Sequence, residues 1–270
     1  NCFNYMKSFL KYIVPIIAFV VIAYAYAPQV LQGKIVDQSD ISSWEGMANE
    51  IVTWNKANPG ERTLWTNSMF SGMPATSISV IYEGDFTQWL YDLFFTGARP
   101  ASYLLISLVG GFLLMLSFGA NVYLAFLGAI AISFCSYNMQ IIQVGHNTKM
   151  QAIAYFPWVL AGVIFTYRAA LRSIGTSGDE KKGARWLPQT ILGATLFAFA
   201  LSMQIKANHP QITYYLAIVI FTYAIGLLIY LCIKRKNLIK RFFAASVLLL
   251  VIGCIGIATN ANKLIPTYEY

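Results

Sequence analysis

Seven apolar runs, at about residues 10–28, 102–118, 121–138, 150–167, 190–205, 212–232 and 242–259, set the terms for this chain. Each is near the ~20 residues that a helix needs to cross a bilayer. Hydrophobic residues make up 57% of the 270 and charged residues only 11%, against about 25% charged in a soluble domain. A core of this size cannot hide so much apolar surface from water, so lipid must be part of the solvent. The expectation is an all-α integral membrane protein with about seven transmembrane helices in a single polytopic domain over 1–270, partnered by the lipid bilayer.

The first run follows Lys7 and Lys11, ends at Pro28 and has no convincing small-residue cleavage site. It reads as a signal anchor that stays. A long polar loop, 29–101, separates it from the second run. The tail of that loop, 85–95, has an apolar face with Trp89 and Tyr91, the pattern of an amphipathic helix lying in the interface.

Basic residues give the direction. Lys7 and Lys11, the 168–189 loop and the 233–241 loop together hold twelve of them, against the acids Asp179 and Glu180. Threading seven spans puts all three segments on one side, which the positive-inside rule makes cytoplasmic. The N-terminus is then cytoplasmic and the 29–101 loop faces outward. The net charge of +8 is accounted for by topology, and no nucleic-acid partner is expected. Cys2, Cys135, Cys232 and Cys254 are scattered. They carry no CxxC pair and predict neither a disulfide framework nor a zinc site.

Three spans run from outside to inside, so their N-termini point outward. Arg99-Pro100, His146-Asn147-Thr148-Lys149 and Lys206-Ala207-Asn208-His209-Pro210 stand at these starts. The helix macrodipole already puts about half a positive charge at such an end, so added cations are unfavourable until an anion arrives. Arg99, His146, Lys149, Lys206 and His209 are therefore candidate ligands for a phosphate. The plainer reading is that the basic side chains snorkel to lipid headgroups. Asn147, Asn208 and Gln211 are amides at the same face, able to bond sugar hydroxyls or simply to cap helices. Trp65 and Asn67, in the aromatic and amide-rich segment 64–74, are a candidate sugar-stacking surface or a packed loop. Asp37 and Asp40 lie just beyond the first span, where a carboxylate can act as general base on an acceptor hydroxyl. Asp40 can equally cap a helix over 41–55.

Four segments, in this order, resemble one family. They are Asp40-Ile41, the stretch from Leu64-Trp65-Thr66-Asn67 to Gly72-Met73-Pro74, Gly145-His146-Asn147-Thr148-Lys149, and Ala207-Asn208-His209-Pro210-Gln211-Ile212-Thr213-Tyr214-Tyr215. Together they look like the YfhO-type bacterial membrane proteins, closest to the members from Bacteroidetes. That family is similar to the GT-C superfamily of glycosyltransferases, and its members are longer, so the resemblance implies the front part of a longer protein. It also implies transfer of a sugar from a polyprenyl-phosphate carrier to an extracytoplasmic glycan, lipid or protein. Asp40 or Asp37 takes the acid/base role. Lys149, His146, Lys206 and His209 face the carrier phosphate. A divalent cation bridging an Asp and the phosphate is a further expectation, although the spacing of the acids and histidines carries no metal signature.

Two other classes compete. A transporter or lipid-carrier flippase calls for ionisable residues deep within spans, and the middles of all seven runs hold none. A non-catalytic envelope assembly protein makes Asp40 and Lys149 dispensable.

Overall fold

A computed structural model of the chain describes residues 2–34, 36–61, 63–75, 78, 85–94, 99–172 and 186–269. Helix α1 (Cys2–Tyr26) leads into a 3-10 turn, Pro28–Gln32, and α2 (Ser39–Ala57). Two short antiparallel strands follow, β1 (Trp65–Thr66) and β2 (Met73–Pro74), with Trp65 opposite Pro74. Then come α3 (Gln88–Phe94), α4 (Ala101–Ser117), α5 (Val122–Ser133), α6 (Ser136–Val144) and α7 (Asn147–Ala170). The chain continues through α8 (Trp186–Lys206), α9 (Pro210–Lys234), α10 (Ile239–Ala258) and α11 (Ala261–Glu269).

Helix α7 is the centre. It packs along α4 on one side and α8 on the other, α5 lies on α4, and α10 lies on α8. Of its apolar window 67% is buried, against 11% for α9. Close approach explains the tight α7–α8 seam: a Cβ on Gly162 would meet the Phe197 backbone nitrogen at 2.5 Å. Small residues at such crossings let two backbones touch where lipid gives no hydrophobic drive. The outer faces of α9 and α10 expose Ile218, Phe221, Ile225, Val247, Leu250 and Ile255. Water would penalise that apolar belt, and acyl chains do not.

Among the described residues, α7, α8, α9 and the stretch Lys236–Ala258 are long and apolar enough to cross a membrane, four helices in all. The third expected run, 121–138, is not one straight helix. It breaks between α5 and α6 with a bend of 43° and continues to Val144, and the pair makes a fifth candidate span. At the break Cys135 is extended, and Asn138 donates its side-chain amide to the carbonyls of Ile132 and Ser133 at 3.1 and 3.2 Å. That side chain takes over the hydrogen bonds that the interrupted helix cannot make. The apolar parts of the first two expected spans, Leu10–Tyr26 and Ala101–Ser117, are shorter helices. The expected interfacial helix over 85–95 is the single short helix α3, entered through a turn at Asp85–Thr87.

Candidate functional site

The long loop returns to the bundle at the corner between α6 and α7. Gly145 ends α6 in a left-handed conformation, φ 101°, which glycine adopts without strain. A Cβ there would also sit 2.8 Å from the Cβ of Gln38, so glycine serves both the turn and the docking. Gln38 donates to the Ile142 carbonyl at 2.6 Å and accepts from the Asn147 amide at 3.1 Å. Ser39 donates to the Val144 carbonyl at 3.4 Å.

These contacts fix the start of α2. His146 Nδ1 donates to Asp40 Oδ2 at 2.6 Å. Asp40 does not cap a helix over 41–55: α2 begins earlier, at Ser39, its cap residue is Gln38, and no side chain bonds the cap. The carboxylate lies in the first helical turn and is turned to His146 instead. With Nδ1 turned to the carboxylate, the ring directs Nε2 away from Asp40. Both side chains stay partly open to solvent.

Two further groups join this pair. Lys149 lies in the first turn of α7, its ammonium 5.2 Å from the Tyr137 ring centroid. His209 precedes Pro210 at the start of α9, and its Nε2 is buried without a hydrogen-bond partner among the described residues. Burial, then the charges of Lys149 and His146, push its pKa below the ordinary value. Asp40, His146, Lys149 and His209 thus meet at one end of the bundle, hereafter the loop end.

Lys206 stands differently from its expected place. It closes α8 rather than opening the next helix, an end where the macrodipole favours a cation. It is 3% exposed. Its Nζ donates to both oxygens of Asp85 at 2.6 Å and to Thr87 Oγ1 at 2.8 Å, and lies 5.7 Å from the Tyr91 ring. Its charge is therefore already answered inside the protein. Burial raises the Asp85 carboxyl, but the hydrogen bonds from Lys206 and Thr87 and the Lys206 charge outweigh it and hold the group below the usual carboxylate range. Lys263 donates to the Lys206 carbonyl at 2.9 Å. Burial, followed by the Lys206 charge, lowers its own pKa.

Other expected site residues scatter around this centre. Arg99 is exposed ahead of α4 and acts electrostatically on Tyr91 and Tyr103. Asp37 is exposed beside Gln38. Asn147 is buried and committed to Gln38. Asn208 is exposed with φ 57°, and Gln211 donates to the Tyr215 hydroxyl at 2.7 Å. Trp65 donates to Asn67 at 3.2 Å in a hairpin that Glu50 anchors by accepting from Thr66 and from the Asn67 and Ser68 N–H groups. Glu50 lies ten residues along α2 from Asp40, about 15 Å at helical rise, so the hairpin is set apart from the Asp40–His146 pair. No group of three or more His, Cys, Asp or Glu gathers as a metal site among the described residues.

Gln38, Asp85 and Gln204 carry roles that the sequence did not announce. Gln204 is wholly buried, accepts from Thr213 at 3.1 Å, and leaves its Nε2 without a partner among the described residues. Thr213 lies one helical turn beyond His209, so this amide extends the polar cluster into the bundle. No family model, curated protein or solved structure matches the chain.

Proposed function

We propose that the chain is a membrane glycosyltransferase of YfhO type, with a GT-C-like arrangement of about seven spans, the N-terminus in the cytoplasm and the loop end outside the bacterial inner membrane. The observation that carries this reading is the contact of Asp40 with His146, which seats an acid of the first loop at the start of α7, beside Lys149 and near His209. A sugar carried on a polyprenyl phosphate meets a base and a cation there.

The reaction is a displacement at the anomeric carbon. An acceptor hydroxyl oxygen forms the new bond to that carbon as the bond to the carrier phosphate breaks. The hydroxyl proton passes to the Asp40–His146 pair, through the imidazole Nε2. The departing phosphate keeps the bonding electrons and rests against Lys149, with the N–H groups of the first turn of α7 as further donors. His209, held neutral at physiological pH by its surroundings, suits a hydrogen-bonding rather than an ion-pairing role towards the sugar or phosphate. A divalent cation would find only Asp40 and His146 as protein ligands here among the described residues, and would neutralise phosphate charge if the carrier phosphate completed its shell.

Asp40→Asn and Lys149→Ala test the reading in membranes supplied with a polyprenyl-phosphate sugar. General acid–base groups contribute ~10²–10⁴-fold in rate, so Asp40→Asn should lower transfer by about that factor. Lys149→Ala should lower it by roughly 10²-fold or more, as loss of a preorganised charge does. Both variants should insert and accumulate as the parent does. Normal transfer by both would leave the envelope-assembly reading in place.

A further inference from the structure

We propose that the end of the bundle opposite Asp40 and His146 binds the phosphate headgroup of an anionic phospholipid between Arg168 and Arg235. A cavity of about 550 Å³ opens there between the end of α7, the second half of α9 and the turn at Leu238, within the range of ~300–1,000 Å³ typical of ligand sites. Tyr223, Leu227 and Tyr230 stand at i, i+4 and i+7 on α9, so they form one wall. Tyr167 of α7 and Leu171 just after it form the facing one, and among the described residues no carboxylate lines the space.

Arg168 is fixed in place. It donates one Nη1 hydrogen to the Ser117 carbonyl and packs against Gly119, which leaves further donors of its five for a ligand. Arg235 caps the end of α9. Both cations stand at helix C-termini, whose carbonyls attract them and repel anions. The charges decide the balance: two full positive charges face two ends worth about half a negative charge each. The described lining therefore keeps a net positive charge. A phosphate diester can bridge the two guanidiniums while the phenols of Tyr223 and Tyr230 offer donors at its rim.

The neighbourhood selects a lipid over a soluble anion. Helix α9 is the least buried of the four long helices. Ile225, Ile229 and Ile233 are exposed on another face of the same half of α9, which keeps that side apolar for acyl chains. Tyrosine belts and basic pockets between spans are the settings in which anionic headgroups are held. The inference does not depend on the transferase reading.

The test uses the whole chain in nanodiscs of mixed phosphatidylglycerol and phosphatidylcholine, with retained lipid counted by native mass spectrometry. The expected result is one strongly retained phosphatidylglycerol per chain. Arg235→Gln removes a charge-assisted contact and should weaken retention roughly tenfold or more. Lys240→Gln, on the same face but outside the cavity, should leave it unchanged. Arg235→Gln is the decisive variant, because Arg168→Gln also loses the Ser117 contact. Equal retention of both lipids, or retention unaffected by Arg235→Gln, overturns the proposal. So does full displacement of the lipid by inorganic phosphate, which would make the site one for a soluble anion.

Discussion

His209 feels two pushes in the same direction, burial and the neighbouring cations. The sign of the consequence is fixed. Its folded pKa lies below the ordinary 6.5, so between the two values the unfolded chain binds the proton and the folded chain does not. Stability contributed by this residue therefore falls as pH drops through about 6.5. Melting curves in detergent should show that fall, and His209→Gln should flatten it. An unchanged slope in the variant would place the pH response elsewhere. Individual residues at this end were partly legible in the sequence. Pro210 and the Gly145-His146-Asn147 turn mark helix starts, and Asp40 sits close after the first apolar run. The pairing of Lys206 with Asp85 was not legible, because 121 residues separate the two and no local pattern announces a partner that distant. Gln38 was missed for the same reason: its value lies in the α6–α7 corner that it touches.

Helix α3 is tied to the bundle through the turn before it. Asp85 and Thr87 hold Lys206, and Tyr91 donates to Gln151 of α7. Removing one partner of a buried ion pair leaves the other charge uncompensated, at a cost of ~3–5 kcal/mol. Asp85→Ala should therefore lower thermal stability in detergent by about that much, and adding Lys206→Met should recover most of it. No recovery would mean that Lys206 contributes more than charge. The carboxyl's lowered pKa puts its contribution fully in place above about pH 4 and removes it as pH falls through the lower, folded value. At this scale the apolar runs were readable from length alone, and the long helices α7 to α10 fall where they predict. The bend after Ser133 was not readable. Nothing in Ser133-Phe134-Cys135-Ser136 is a strong breaker, and the break is stabilised by Asn138, whose bonds to the Ile132 and Ser133 carbonyls appear only once the chain has turned.

Across the whole molecule, polar chemistry is partitioned between two ends of an apolar bundle. Asp40, His146, Lys149 and His209 gather at one, Arg168 and Arg235 at the other, and α7 contributes to both. The partition itself was visible in the sequence, because charged residues sit at the edges of the apolar runs. The order of helices around α7 was not, since a helix buried or lipid-facing on most sides shows no amphipathic stripe to say which neighbour it meets. The electropositive ring expected at the loop end is correspondingly narrower. Lys206 is neutralised by Asp85, and Lys149 stands three residues on from His146 in the first turn of α7. The central claim is that Asp40 and His146 act as one unit in proton transfer. A double-mutant cycle on the initial rate of sugar transfer measures this directly, with Asp40→Asn, His146→Ala and the double variant in the same membranes. The account predicts that the double variant is no slower than the worse single one. Losses that multiply independently would contradict it.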